Sequence, residues 1–179
     1  MPKKYVNNVT MINESALRPS RELTDSEYSI IGKFIQAYAH FEYSIRDLFS
    51  HVLDLDIETV EVLVGNDSIE KVLSKLKRIV ELDSIDTESL ENIKSISNIR
   101  ERVSFDRNYL AHSPALVSQE EPFCFILRPN SIVEIDRDKG LVYHTKVIEI
   151  PIETIEKEIE ILRAATENIN KALREDNAE

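Results

Sequence analysis

The stretch Arg107-Asn108-Tyr109-Leu110-Ala111-His112 gathers three residue types suited to phosphodiester chemistry. An imidazole moves protons near neutral pH, a guanidinium forks onto a phosphate and its developing charge, and an amide side chain orients either group. On a helix, Asn108 and His112 stand at i and i+4 and share a face, whereas Arg107 lies about 140° around the axis from His112. One such helix lines a groove; it does not surround a metal. The same residues also admit a purely structural reading, in which His112 is a hydrogen-bonded helix-end residue and Arg107 pairs with Asp106 or Glu101.

Other reactive types are less well placed. His40, His51 and His144 do not stand at zinc-ligand spacings with cysteines or carboxylates, so no metal site is expected. Ser113 follows His112 directly, but adjacent residues at a helix end point apart and no nucleophile elbow surrounds the serine. Cys124 sits in an apolar run and reads as a buried structural thiol. Tyr109 suits either stacking on a base or filling a contact between subunits.

A long helix must carry the Arg107 to His112 stretch. Asp86 or Thr87 caps it, Glu88 and Glu91 lie in its first turns, and Leu90, Ile93, Ile96, Ile99 and Val103 form its stripe. It must end near Ser113, because Pro114 lacks an N–H and disfavours helical geometry before it. Upstream, Thr24 opens a long helical pattern with Ile30, Ile31, Phe34, Ala37, Tyr38, Phe41, Ile45, Leu48, Phe49 and Val52 as one apolar stripe. Ile57 to Val64 reads as a short helix stopped at Gly65-Asn66. Asp67 or Ser68 starts the next, with Ile69, Val72, Leu73, Leu76, Ile79 and Val80, ending near Leu82.

After Pro114 the period changes to that of strands: Phe123 to Leu127, Ile132 to Asp136 and Leu141 to Ile150, joined by Arg128-Pro129-Asn130 and Asp138-Lys139-Gly140. A small antiparallel meander is expected there. Pro151 then opens an amphipathic last helix with Ile152, Ile155, Ile159, Leu162, Ile169 and Leu173 on one side. The expected architecture is mainly α: an antiparallel bundle of four to five helices, with a β insertion at about 121–150 before the last helix. Residues 1–24 read as a leading arm and 25–176 as a single domain.

Composition narrows the function classes. Three glycines in 179 residues leave no room for a Gly-rich phosphate loop, and a single cysteine excludes an internal disulfide. The first 24 residues lack a continuous apolar segment, and no run approaches the ~18 residues of a membrane span. A soluble, cytoplasmic protein without a membrane partner is expected. The net charge of −11 argues at first against nucleic acid. Located along the chain, however, the charge is −6 over 25–65 and −4 over 151–179 but only −1 over 66–113, which holds eight of the 22 basic residues. Local field decides where a polyanion lands, so the objection weakens at the motif.

Arg-Asn followed by three residues and His, on the penultimate long helix of a small helical domain, resembles the R-X4–6-H motif of HEPN domains (higher eukaryote and prokaryote nucleotide-binding). The resemblance extends over the layout of 25–113 and the last helix, with Phe34, Phe41 and Glu42 on the first long helix matching the family's pattern. It implies a metal-independent endoribonuclease without cofactor, acting as a homodimer in which two motif helices meet and RNA enters the shared cleft. Cleavage by the RNA 2′-hydroxyl leaves a 2′,3′-cyclic phosphate. Carried over, His112 is the acid/base group, Arg107 the phosphate clamp, Asn108 the orienting residue and Glu42 a further positioning carboxylate. Arg100, Arg102 and Tyr109 are expected to contact substrate. Toxin and phage-defence roles, with an antitoxin or other protein partner, come with the family. Two features depart from it: Pro114 stands where the subgroup paired with nucleotidyltransferase antitoxins often has Tyr, and the β insertion is not general. The competing reading is a non-catalytic HEPN-like dimer serving as an interaction scaffold or nucleotide binder.

Overall fold

A computed structural model describes residues 19–82, 87–127, 132–136, 140–144 and 147–176. In chain order its elements are β1 (Ser20–Arg21), α1 (Asp25–Leu53), α2 (Ile57–Val64), α3 (Ile69–Leu82), α4 (Thr87–His112), β2 (Ala115–Ser118), β3 (Cys124–Leu127), β4 (Ile132–Asp136), β5 (Gly140–His144), β6 (Ile148–Pro151) and α5 (Ile152–Asp176). The fold is mainly helical, with a small antiparallel sheet whose strands, apart from β1, come from the segment between the fourth and fifth helices. None of the described helices is long and apolar enough to cross a membrane. Two compact units emerge, Met1–Phe34 with Phe105–Lys157 and Ile35–Ser104 with Glu158–Glu179.

The first unit is built on a four-stranded sheet in the order β1-β2-β3-β6. Cys124, Phe125, Ile126 and Leu127 are all buried, so both faces of the inner strand β3 are covered. That matches an uninterrupted apolar run rather than an alternating one. Val117 lies opposite Phe125, and Ile150 opposite Phe125 on the other side, which sets the register across three strands. The β4–β5 hairpin pairs Ile132 with His144 and Asp136 with Gly140 and forms a separate two-stranded sheet.

The expected three-strand meander is therefore corrected. The segment Leu141 to Ile150 is two strands rather than one, and β3 pairs with β6 while β4 and β5 pair only with each other. The sheet also begins earlier than 121: β2 starts directly after Pro114, and the end of the supposed arm contributes β1, with Ser20 opposite Ser118 and Arg21 opposite Val117. The turn at Arg128-Pro129-Asn130 and the tail after Asp176 lie outside the described residues.

Local chemistry explains the joints of this unit. Glu27, itself buried, accepts from the backbone N–H of Thr24 at 2.7 Å and from its hydroxyl at 2.9 Å, a capping-box contact at the start of α1. Arg21 forks onto the same carboxylate at 2.7 and 2.8 Å and ties β1 to that helix start. Between β2 and β3 the single O–H of buried Ser118 is shared between the carbonyls of Glu120 and Pro122, at 3.0 and 3.2 Å. The same oxygen accepts from Cys124 N–H at 2.9 Å. It thereby organises a loop that contains the cis Glu121-Pro122 bond. Pro151 closes β6 opposite Cys124, and α5 begins one residue later than expected.

In the second unit, buried Ala37, Tyr38, Phe41, Ile45 and Phe49 of α1 follow the expected stripe, as do Val72, Leu73, Leu76 and Val80 of α3. From the last long helix, Ile159, Leu162, Ala165 and Ile169 are buried. α1 ends in a Schellman turn, in which Asp54 adopts φ 51° and the N–H groups of Asp54 and Leu55 donate to the carbonyls of His51 and Ser50. Asp56 caps α2 by accepting from the N–H and hydroxyl of Thr59, both at 2.8 Å. Gly65 ends α2 without entering the left-handed region, at φ −56°. The carbonyls around that turn are taken up by Arg46, which donates to Val64 at 3.0 Å and to Asp67 at 3.2 Å.

Candidate functional site

The last two turns of α4 place the motif within the first unit. The helix stops where expected, with Ser113 N–H donating to the Tyr109 carbonyl at 2.9 Å immediately before Pro114. Buried Leu110 anchors this end of the helix, and Tyr109 stacks at a tilt on Phe105 with ring centroids 4.5 Å apart. The burial of Leu110 sets the packed side of this end of the helix, while the Phe105–Tyr109 pair at i and i+4 lies along the helix's own surface. Asn108 and His112 are both exposed, also at i and i+4. Arg107 is half-buried, and its Nη1 donates to Asn108 Oδ1 at 3.2 Å.

The arrangement offers an exposed imidazole and, on a different side of the same helix end, a guanidinium that donates to its own neighbour. A half-buried stem limits the volume the guanidinium can sample, while its hydrogen-bonding fork stays suited to an oxyanion. Tyr109 is half-buried against Phe105, so its ring serves the helix before any base. Ser113 is half-buried and follows the last helical residue.

The other expected site residues belong to the second unit. Glu42 is half-buried on α1. Arg100 is directed to α3, its Nη1 3.3 Å from Glu70 Oε2, and Arg102 is exposed. The structure thus brings Arg107, Asn108, Tyr109 and His112 together in one unit and assigns Glu42, Arg100 and Arg102 to the other. Among the described residues, no three His, Cys, Asp or Glu side chains converge. Cys124 is buried in β3, as its apolar run implied.

Sequence reasoning passed over Glu158, which is only 2% exposed. The signal was present: Glu158 is three residues after Ile155 and four before Leu162, so it falls inside the apolar stripe of α5 rather than on its charged face. A carboxylate at such a position is costly and marks a place to look for function. The chain matches no family model, and neither a curated protein nor a solved structure gives a significant match.

Proposed function

We propose that the chain is a metal-independent, homodimeric endoribonuclease of the HEPN type. The supporting observation is the end of α4, where Asn108 and His112 are exposed on one face and Asn108 holds the guanidinium of Arg107 at 3.2 Å. In the proposed reaction the ribose 2′-oxygen attacks the adjacent phosphorus, forming the P–O2′ bond as the P–O5′ bond breaks. The proton leaves O2′ and one is delivered to O5′, so the products are a 2′,3′-cyclic phosphate and a 5′-hydroxyl. His112 takes or supplies that proton, and its copy in the second subunit does the reverse. Arg107 forks onto the non-bridging oxygens, where negative charge accumulates in the transition state. Asn108 keeps that fork aimed.

Incubating labelled RNA with the protein in the presence of EDTA tests this reading. Cleavage that survives chelation, leaves cyclic phosphate ends and is lost in Arg107→Ala and His112→Ala supports it. Intact RNA, or variants as active as wild type, refutes it. A sedimentation experiment on the same samples must also report a dimer.

A further inference from the structure

Among the described helices, α3 is the one whose cations outnumber its acids: Lys71, Lys75, Lys77 and Arg78 against Glu70 and Glu81. In a chain of net charge −11 this is a local reversal of field. Lys71, Lys75 and Arg78 fall within about 60° of one another around the axis and span about 10 Å along it. All three are exposed, while Val72, Leu73, Leu76 and Val80 on the opposite side are buried. The helix's own acids are engaged elsewhere. Glu70 lies 3.3 Å from Arg100, and Glu81 lies 3.8 Å from Lys77. Among the described residues one carboxylate pairs with the stripe: Asp67 is 2.6 Å from Lys75 and 3.8 Å from Lys71. Three cations against one acid leave the stripe positive.

We propose that this face of α3 binds the phosphate backbone of single-stranded RNA, and that Asp67 is a built-in competitor that weakens the binding. The choice of RNA rests on the ribonuclease reading. Phosphate contacts by lysine are point-charge contacts and carry no sequence information, so the surface holds RNA without selecting it. Leu82, 83% exposed, lies at the far end of the same face and offers an apolar contact to a base.

The experiment measures binding of a labelled single-stranded RNA by fluorescence anisotropy, in a His112→Ala background, between about 50 and 200 mM salt. Lys71→Gln/Lys75→Gln/Arg78→Gln should lower the slope of log affinity against log salt by about 2, at roughly 0.7 per lost contact, and weaken binding about tenfold at the low-salt end. Gln and Lys have similar helix propensity, so the triple variant keeps its helix, which circular dichroism verifies. Asp67→Asn should move the other way and tighten binding. An unchanged slope and affinity in the triple variant overturns the proposal, as does weaker binding in Asp67→Asn. Competition by polyglutamate as effective as by unlabelled RNA also overturns it, in favour of an acidic protein partner. RNA that is cut by wild type yet bound equally by the triple variant removes this inference alone. RNA that is bound through α3 and never cut removes the ribonuclease reading alone.

Discussion

Arg107 donates through Nη1 to the amide oxygen of Asn108, the next residue in the chain, at 3.2 Å. Neighbours on a helix diverge by about 100°, so this contact requires both side chains to lean toward each other across the surface of α4. Asn108 therefore sets the direction of the guanidinium without needing to touch a substrate.

Asn108→Ala should leave the fold intact, because the residue is exposed, and should lower RNA cleavage by about ten- to a hundredfold through misplacement of Arg107. The loss should appear mainly in kcat, measured with Arg107 and His112 still present. Arg107→Lys should fail to restore activity, since an ammonium lacks the planar fork.

The Arg21–Glu27 pair predicts a pH dependence of stability. Its hydrogen bonds from Arg21, with those from Thr24, lower the Glu27 carboxyl from 4.5 to about 2. A carboxyl lowered on folding stabilises fully above its unfolded value, and that contribution fades as pH falls from about 5 toward 2. Urea midpoints should therefore drop across that interval, and Glu27→Gln should show a lower midpoint at neutral pH with a shallower acid limb.

Ser118→Ala removes the one O–H donor shared by the carbonyls of Glu120 and Pro122 and the acceptor for the buried Cys124 N–H. Leaving such groups unmatched costs about 1–3 kcal/mol. Urea denaturation should report that loss as a lower midpoint with an unchanged slope.

Arg46→Met keeps an apolar stem in a largely buried position but abandons the carbonyls of Val64 and Asp67. A loss of about 1–3 kcal/mol is expected. Hydrogen exchange should quicken first in α2 and in the turn to α3, where those carbonyls lie.

The helices were legible because each carried its own signals. Ile57 to Val64 and Ile69 to Leu82 coincide with α2 and α3, and Pro114 marks the end of α4. Of the strands, β3 and β4 were legible from their apolar runs, whereas β2 directly after Pro114 was not marked and β5 and β6 read as one run. Nothing near Leu141 says that the chain breaks before Ile148 and returns to β3, because strand pairing depends on partners far away in sequence. Ser20 and Arg21 gave no signal at all: a two-residue strand has no period to detect, and its partners are Ser118 and Val117. At the candidate site, the motif and its shared face could be read from spacing. The Arg107–Asn108 contact could not, since side-chain rotamers leave no trace in residue order. Glu158 could have been found by asking which charged residue breaks the apolar stripe of α5.

The pairing of β1 with β2 also bears on how the chain reaches its native state. Gln119 Nε2 donates to the Ser20 carbonyl 99 positions away, so this edge closes a very large loop for little contact. Such closure is entropically costly before other contacts have brought the ends together, so docking of β1 is expected after the rate-limiting step of folding. Substitutions in β1 should then accelerate unfolding while leaving the refolding rate nearly unchanged, which stopped-flow mixing into and out of urea would report.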